Sequence, residues 1–504
     1  MKSVHLVNSR NQRLPATIVI RVLQVLLIIL LFWPYADGSL IGDDLTLVVS
    51  ALHAQQTGES LLQYSWSLVQ LSTSANHVLP LGGLLTAIVT WPLAWLGSFG
   101  LSVPLLWAGL RIAMIILTLF VVAWSAIEWI APDAERMLKR QLLWTVFLYG
   151  SAAAGALVQV HGYWSQDPVL AYGIAAWVSP ILVFGFLGGI RRVYSSRTWI
   201  SPWAIGCLAI GILGIFVYEL TVIGALTALA LPPVLLLLRF KGLSTRGLIL
   251  GMIVPLVIFI IFLSVQYLRL LNPGTYSGSN PGYAQMALPV WVTSMLGNLP
   301  LTNTLLTREF ALEPDPSTLL LIGVPVLVLS LWIMGQRMHL RIQQQIQWTS
   351  VSVFLGILVV VTGLATAMYA FTVKYQLEIG NQVGKVYLFY AFGLIWVAFS
   401  TAVLTTALGV RSTIGAIANT VLGLTLAFAS VTQYVINSAS LSAINAEWAW
   451  TKNYVWSLQG LEVEQDWCEL STSLKDSQIP TEYRAQLQRQ AAEIQAEQGR
   501  EIRC

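Results

Sequence analysis

Long apolar runs, separated by short connections rich in charge, Pro or Gly, dominate the chain. A helix needs about 20 apolar residues to cross a hydrocarbon core of roughly 30 Å, and several runs reach that length. The pattern predicts spans over 16–34, 102–130, 141–161, 172–190, 202–217, 220–238, 247–268, 316–336, 347–371, 386–409 and 412–435. The pair from 202 to 238 requires a very tight turn at "VYEL"; without it the parity of everything downstream reverses.

Three stretches fall outside this series. The connection 35–101 opens with an acidic pair and continues as "LTLVVSALHAQQTG", whose apolar spacing suits a helix lying along a membrane surface. It then runs into "HVLPLGGLLTAIVTWPLAWLGSFG", which is apolar enough for a crossing, but Pro80, Pro92 and its glycines favour a short interfacial or re-entrant helix. The connection 269–315 is rich in Pro, Gly, Ser and Asn, which predicts an irregular loop able to close over a substrate. From about 436 the composition turns aromatic and acidic, then helix-forming. The predicted division is therefore a transmembrane module over 1–435 and a small external helical tail over 436–504.

Composition agrees with the pattern. Of 504 residues, 56% are apolar and 10% charged, less than half the charge of an ordinary soluble protein, so the fold class is an all-α, polytopic helical membrane protein. A net charge of +4 is too small to imply a nucleic-acid partner. The basic residues instead sort by loop. With the N-terminus in the cytoplasm, "DAERMLKR", "RRVYSSR", "RFKGLSTR", "GQRMHLR" and "GVR" all fall inside, which satisfies the positive-inside rule repeatedly and puts the C-terminus outside. "RVLQVLLIILLFW" follows four basic residues and has a signal peptide as its alternative reading; its length and the poor cleavage site in "WPYADGS" favour an uncleaved span. Either reading leaves Asp43 and Asp44 external.

The candidate chemistry gathers on that external side. Asp43 and Asp44 stand where the first span meets water, and a carboxylate there can accept a proton from a nucleophile or hold a divalent cation, Mg²⁺ or Mn²⁺, beside a phosphate. Adjacent side chains diverge, so one can serve the reaction while the other fixes the loop; a plain helix cap is the competing reading. Arg308, Lys374 and Lys385 are external cations at headgroup depth, suited either to a phosphate or to interface anchoring. His77 and His161 are candidates to orient an acceptor or donate to phosphate. Arg111 lies in the outer half of its span, where a buried charge requires a partner: a phosphate or the loop carboxylates. Glu128, nearer the cytoplasm, is expected to pair with the local basic cluster. Cys468 and Cys504 share the external tail, which permits a disulfide, with free thiols the alternative.

One outward span, the acidic pair in "GDD", a surface helix and then "HVLPLGGLLTAIVTWPLAWLG" together resemble the start of the GT-C superfamily, polytopic membrane glycosyltransferases that use polyprenyl-phosphate-linked sugars. The resemblance implies a GT-C-like fold, with Asp43 or Asp44 as catalytic base or acceptor-positioning acid. It further implies that His77 to Pro80 belong to an interfacial helix on the acceptor side and that 269–315 helps form the donor cavity. The partners it implies are a polyprenyl-phosphate sugar donor, an extracytoplasmic glycan, lipid or protein acceptor, and the lipid bilayer of a bacterial plasma membrane. A lipid-linked polysaccharide polymerase or a membrane transporter or flippase is the rival reading. Transporters often carry inverted repeats and mid-membrane polar groups, whereas the charged candidates here cluster outside.

Overall fold

A computed structural model describes residues 5–37, 40, 42–74, 80–159, 175–271, 282–297, 299, 318–339, 346–373, 375–377, 390–408 and 413–458. The chain is an all-α, polytopic membrane protein. Nine of its described helices are long and apolar enough to cross a bilayer, and two shorter apolar segments, Pro202–Val217 and Ile322–Met338, accompany them.

The first helix, α1 (His5–Phe32), passes through a 3₁₀ turn at Trp33–Asp37 into three helices grouped together, α2 (Gly42–Gln56), α3 (Leu61–Ser74) and α4 (Pro80–Gly97). The bundle continues with α5 (Val103–Ile130), α6 (Arg136–Leu157), α7 (Ala175–Tyr194), α8 (Pro202–Val217), α9 (Val222–Leu237) and α10 (Thr245–Leu271). Next comes α11 (Ala284–Gly297), followed by α12 (Thr318–His339), α13 (Trp348–Ala370), α14 (Tyr390–Leu408) and α15 (Thr413–Leu458). Helices α5 and α6 form the centre: α5 packs on α7, while α6 lies between α12 and α14. Their inward faces are built from Leu119, Val122, Ala123, Ala126, Val146, Leu148 and Ala152, all fully buried. Outer faces remain apolar too, as at Leu26 and Leu30 of α1 and Ile253 and Ile260 of α10. Lipid is the medium in which such a surface is stable. With no hydrophobic drive between helices in lipid, close approach depends on small residues. At Gly150 an added Cβ would stand 2.8 Å from the Phe399 ring, so α6 and α14 meet at a distance only glycine permits.

Four features refine the sequence expectations. The tight turn at "VYEL" is present: α8 ends at Val217, Glu219–Thr221 makes one 3₁₀ turn, and α9 begins at Val222. The segment 80–97, expected to be interfacial or re-entrant, is an 18-residue helix that meets the length and composition of a crossing. It is nonetheless one arm of an antiparallel hairpin with α3: Trp91 Nε1 donates to the Glu59 carbonyl (3.3 Å), Thr90 Oγ1 to Tyr64 Oη (3.5 Å), and Gly83 lies against the backbone of Leu68. The connection 269–315 is not wholly irregular. It contains α11, whose Trp291 Nε1 donates to the Gly363 carbonyl (2.9 Å) and Thr366 Oγ1 (3.0 Å) of α13. Pro289 removes one backbone hydrogen bond there, and the apolar face on α13 offsets it. Finally, the last apolar span, Thr413–Ser438, lies close to the expected 412–435, but its helix, α15, continues unbroken to Leu458.

Candidate functional site

Asp43 and Asp44 occupy the first turn of α2, where a negative charge is favoured by the free N–H groups and the helix dipole. Leu45, Val48, Val49 and Leu52 then bury one face of α2, which fixes its rotation on the bundle. That rotation carries Asp44 inward. Its Oδ2 accepts hydrogen bonds from Trp107 Nε1 (2.7 Å), Arg111 Nε (3.3 Å) and Arg111 Nη2 (3.2 Å). The carboxylate is 2% exposed and the guanidinium 1%. Trp107 and Arg111 stand one turn apart on the same side of α5, so a single face of one helix supplies all three donors.

A buried ion pair is strongly conditional. Desolvating two charges costs about as much as their attraction returns, but removal of one partner strands the other. Asp44 therefore acts as a root: it ties the start of α2 to the interior of α5 through a contact that resists displacement. The same surroundings do not suit Asp44 to a divalent cation, because three N–H donors already converge on Oδ2, two of them from a guanidinium whose Nη2 lies 3.2 Å away. The groups around it are arranged for an anion.

The neighbouring helix ends are tied by further polar contacts at the same end of the bundle. Asn437 of α15 donates to Tyr35 Oη (3.0 Å), just beyond α1, and to the Val158 carbonyl (2.9 Å), just beyond α6. Gln433, one turn earlier, donates to Asn437 Oδ1 (2.9 Å). The Gln159 amide donates to Tyr390 Oη (2.8 Å) at the start of α14. Glu219 pairs with Arg269, and the Tyr218 and Tyr369 hydroxyls meet at 3.1 Å. Burial pushes the Tyr64 phenol above its ordinary range, so it stands as a neutral hydroxyl between α2 and α4. These contacts join α15 and the ends of α1, α6 and α14 to one another, and Glu219 of the α8–α9 turn to α10.

Among the sequence candidates, the structure brings Asp44 and Arg111 together; Asp43 precedes Asp44 in the first turn of α2. Arg111 is thus a carboxylate partner inside the protein. Glu128 bridges Lys139 (3.4 Å) and Arg192 (2.6 Å) at the opposite end of the bundle. His77, His161, Arg308, Lys374, Lys385, Cys468 and Cys504 lie outside the described residues. Sequence reasoning missed Trp107 and the Gln433–Asn437 pair. Both carried a signal: a polar-capable residue one helical turn from a charged or amide side chain within an apolar helix. Comparison with protein-family models gives no match for this chain, and no curated protein matches it.

Proposed function

We propose that the protein is a membrane glycosyltransferase that moves a sugar from a polyprenyl-phosphate donor to an extracytoplasmic acceptor at the start of α2. The observation that carries this reading is the rooting of Asp44 on Trp107 and Arg111, which holds the first turn of α2 fixed and leaves its neighbour Asp43 the reacting carboxylate. The GT-C resemblance of the segment from α1 to α4 supports the same assignment. Eleven alternating crossings, with an internal N-terminus and an external C-terminus, accompany the proposal; it reads the α3–α4 hairpin as leaving parity unchanged, and the described basic residues around Glu128, Lys139, Arg191 and Arg192 lie at the opposite end from Asp44.

In the proposed reaction an acceptor hydroxyl attacks the anomeric carbon. A new C–O bond forms as the bond between that carbon and the phosphate oxygen breaks. The hydroxyl proton passes to the Asp43 carboxylate, and the electron pair leaves on the polyprenyl phosphate. A phosphate is already a good leaving group, so one carboxylate base is enough. Stabilisation of the departing charge would fall to cations at headgroup depth, for which Arg308, Lys374 and Lys385 are the candidates.

The test is a panel of radiolabelled polyprenyl-phosphate sugars offered to purified protein in lipid vesicles with glycan, lipid and protein acceptors. Transfer of a single sugar from a lipid-linked donor, with none from a nucleotide sugar, is the expected result. Chain extension would favour a polymerase, and donor movement across the bilayer without transfer would favour a flippase; either outcome refutes the proposal.

A further inference from the structure

The end of the bundle opposite Asp44 carries a cavity of about 390 Å³ that the proposed reaction does not use. It opens between the start of α6, the end of α7 and the connection into α8. Three cations, Lys139, Arg191 and Arg192, line it against one carboxylate, Glu128. Glu128 is already held between Lys139 and Arg192, while the Asp133 carboxylate approaches Arg191 from the side of Gly242. Positive charge remains in excess.

Two features show that this is a built site. Arg191 is 1% exposed; its Nη1 donates to Ser195 Oγ (2.5 Å) and its Nη2 to the Lys241 carbonyl (3.4 Å), yet its Nε hydrogen has no acceptor among the described residues. Arg192 is pinned by aromatic faces, lying 4.1 Å from the centre of the Trp203 ring and 5.7 Å from that of Trp124. Ser196 and Thr198 also line it, their hydroxyls donating within the loop to the Thr198 carbonyl (3.2 Å) and the Ile200 carbonyl (3.1 Å). Trp199 and Ile200 stand exposed beside it, and Trp203 is partly so. That combination is amphipathic: basic groups and hydroxyls at one level, with apolar rings projecting where acyl chains would lie.

We infer that this cavity binds the headgroup of an anionic phospholipid from the leaflet at the basic face. A phosphodiester would supply the acceptor that Arg191 lacks and would sit against Lys139 and Arg192, while Trp199, Ile200 and Trp203 contact its chains. Basic pockets between transmembrane helices recognise lipid phosphates in this way. A free inorganic phosphate shares the recognition chemistry but would make no use of the exposed apolar flank. The inference is independent of glycosyl transfer and of Asp43.

Native mass spectrometry of the full-length protein in neutral detergent tests it, with titrations of phosphatidylglycerol, phosphatidylcholine and inorganic phosphate. Phosphatidylglycerol is expected to be retained in preference to phosphatidylcholine and to resist an excess of inorganic phosphate. Thr198→Glu adds a negative charge at an exposed rim position and is expected to weaken that retention roughly fivefold, the effect of one unit charge at a membrane surface. Arg192→Gln should weaken it similarly; should that variant fold poorly because Glu128 loses a partner, Thr198→Glu alone decides. Equal retention of the two lipids, displacement by inorganic phosphate, or unchanged retention in Thr198→Glu would overturn the inference.

Discussion

Asp43 and Asp44 are neighbours in sequence with different expected fates on substitution. Asp44→Asn leaves the Arg111 guanidinium buried beside a neutral amide, and loss of one partner from a buried pair costs about 3–5 kcal/mol. A large fall in thermal stability is therefore expected for Asp44→Asn and for Arg111→Met alone. The double replacement Asp44→Leu with Arg111→Met removes both charges and should recover much of the loss, so a double-mutant cycle read by thermal denaturation in lipid checks the coupling. Asn437 presents the neutral counterpart. Asn437→Leu strips donors from Tyr35 and the Val158 carbonyl together, with an expected cost of about 1–3 kcal/mol in the same measurement.

At the scale of elements, the α3–α4 hairpin includes one close backbone approach. A Cβ at Gly83 would lie 3.1 Å from the carbonyl carbon and oxygen of Leu68, and backbone cannot rotate aside. Gly83→Val is expected to separate the hairpin and destabilise the protein by about 1–3 kcal/mol, seen as a lower denaturation midpoint. Eight of the predicted crossings coincide with helices of spanning length, because hydrophobic length is a local property, whereas Pro80–Gly97, expected to be interfacial, also has that length and composition; the split at "VYEL" was expected from charge parity and is present. Pairings across the bundle were less legible. Arg111 announced its need for a partner by lying inside an apolar helix, and the loop carboxylates were among its candidates, but nothing local chose Asp44 over Asp43. That choice follows from the rotation of α2, set by Leu45, Val48, Val49 and Leu52 against neighbours distant in sequence. The extension of α15 past 435 was obscured for a related reason. Its composition changes where the helix leaves the apolar span, whereas the backbone continues, joined to Tyr35 and Val158 through Asn437.

On the scale of the whole molecule, the two ends of the bundle have distinct chemistry. One carries the rooted carboxylate and the tyrosine and amide contacts between helix ends; the other carries Glu128 within a basic cluster and the cavity around Arg191. Single cysteines at Thr57 and Thr198, both exposed, are expected to label from opposite sides of sealed cells with a membrane-impermeant reagent when Cys207, Cys468 and Cys504 are replaced by serine. Labelling from one side would contradict the proposed topology. The central claim concerns the reacting carboxylate at the first of these ends, and its most direct test compares wild type with Asp43→Asn for sugar transfer from the active polyprenyl-phosphate donor. The account expects Asp43→Asn to denature at the wild-type temperature and to lose transfer by at least about 100-fold, the contribution of a positioned base. Full transfer by a folded Asp43→Asn protein would contradict it.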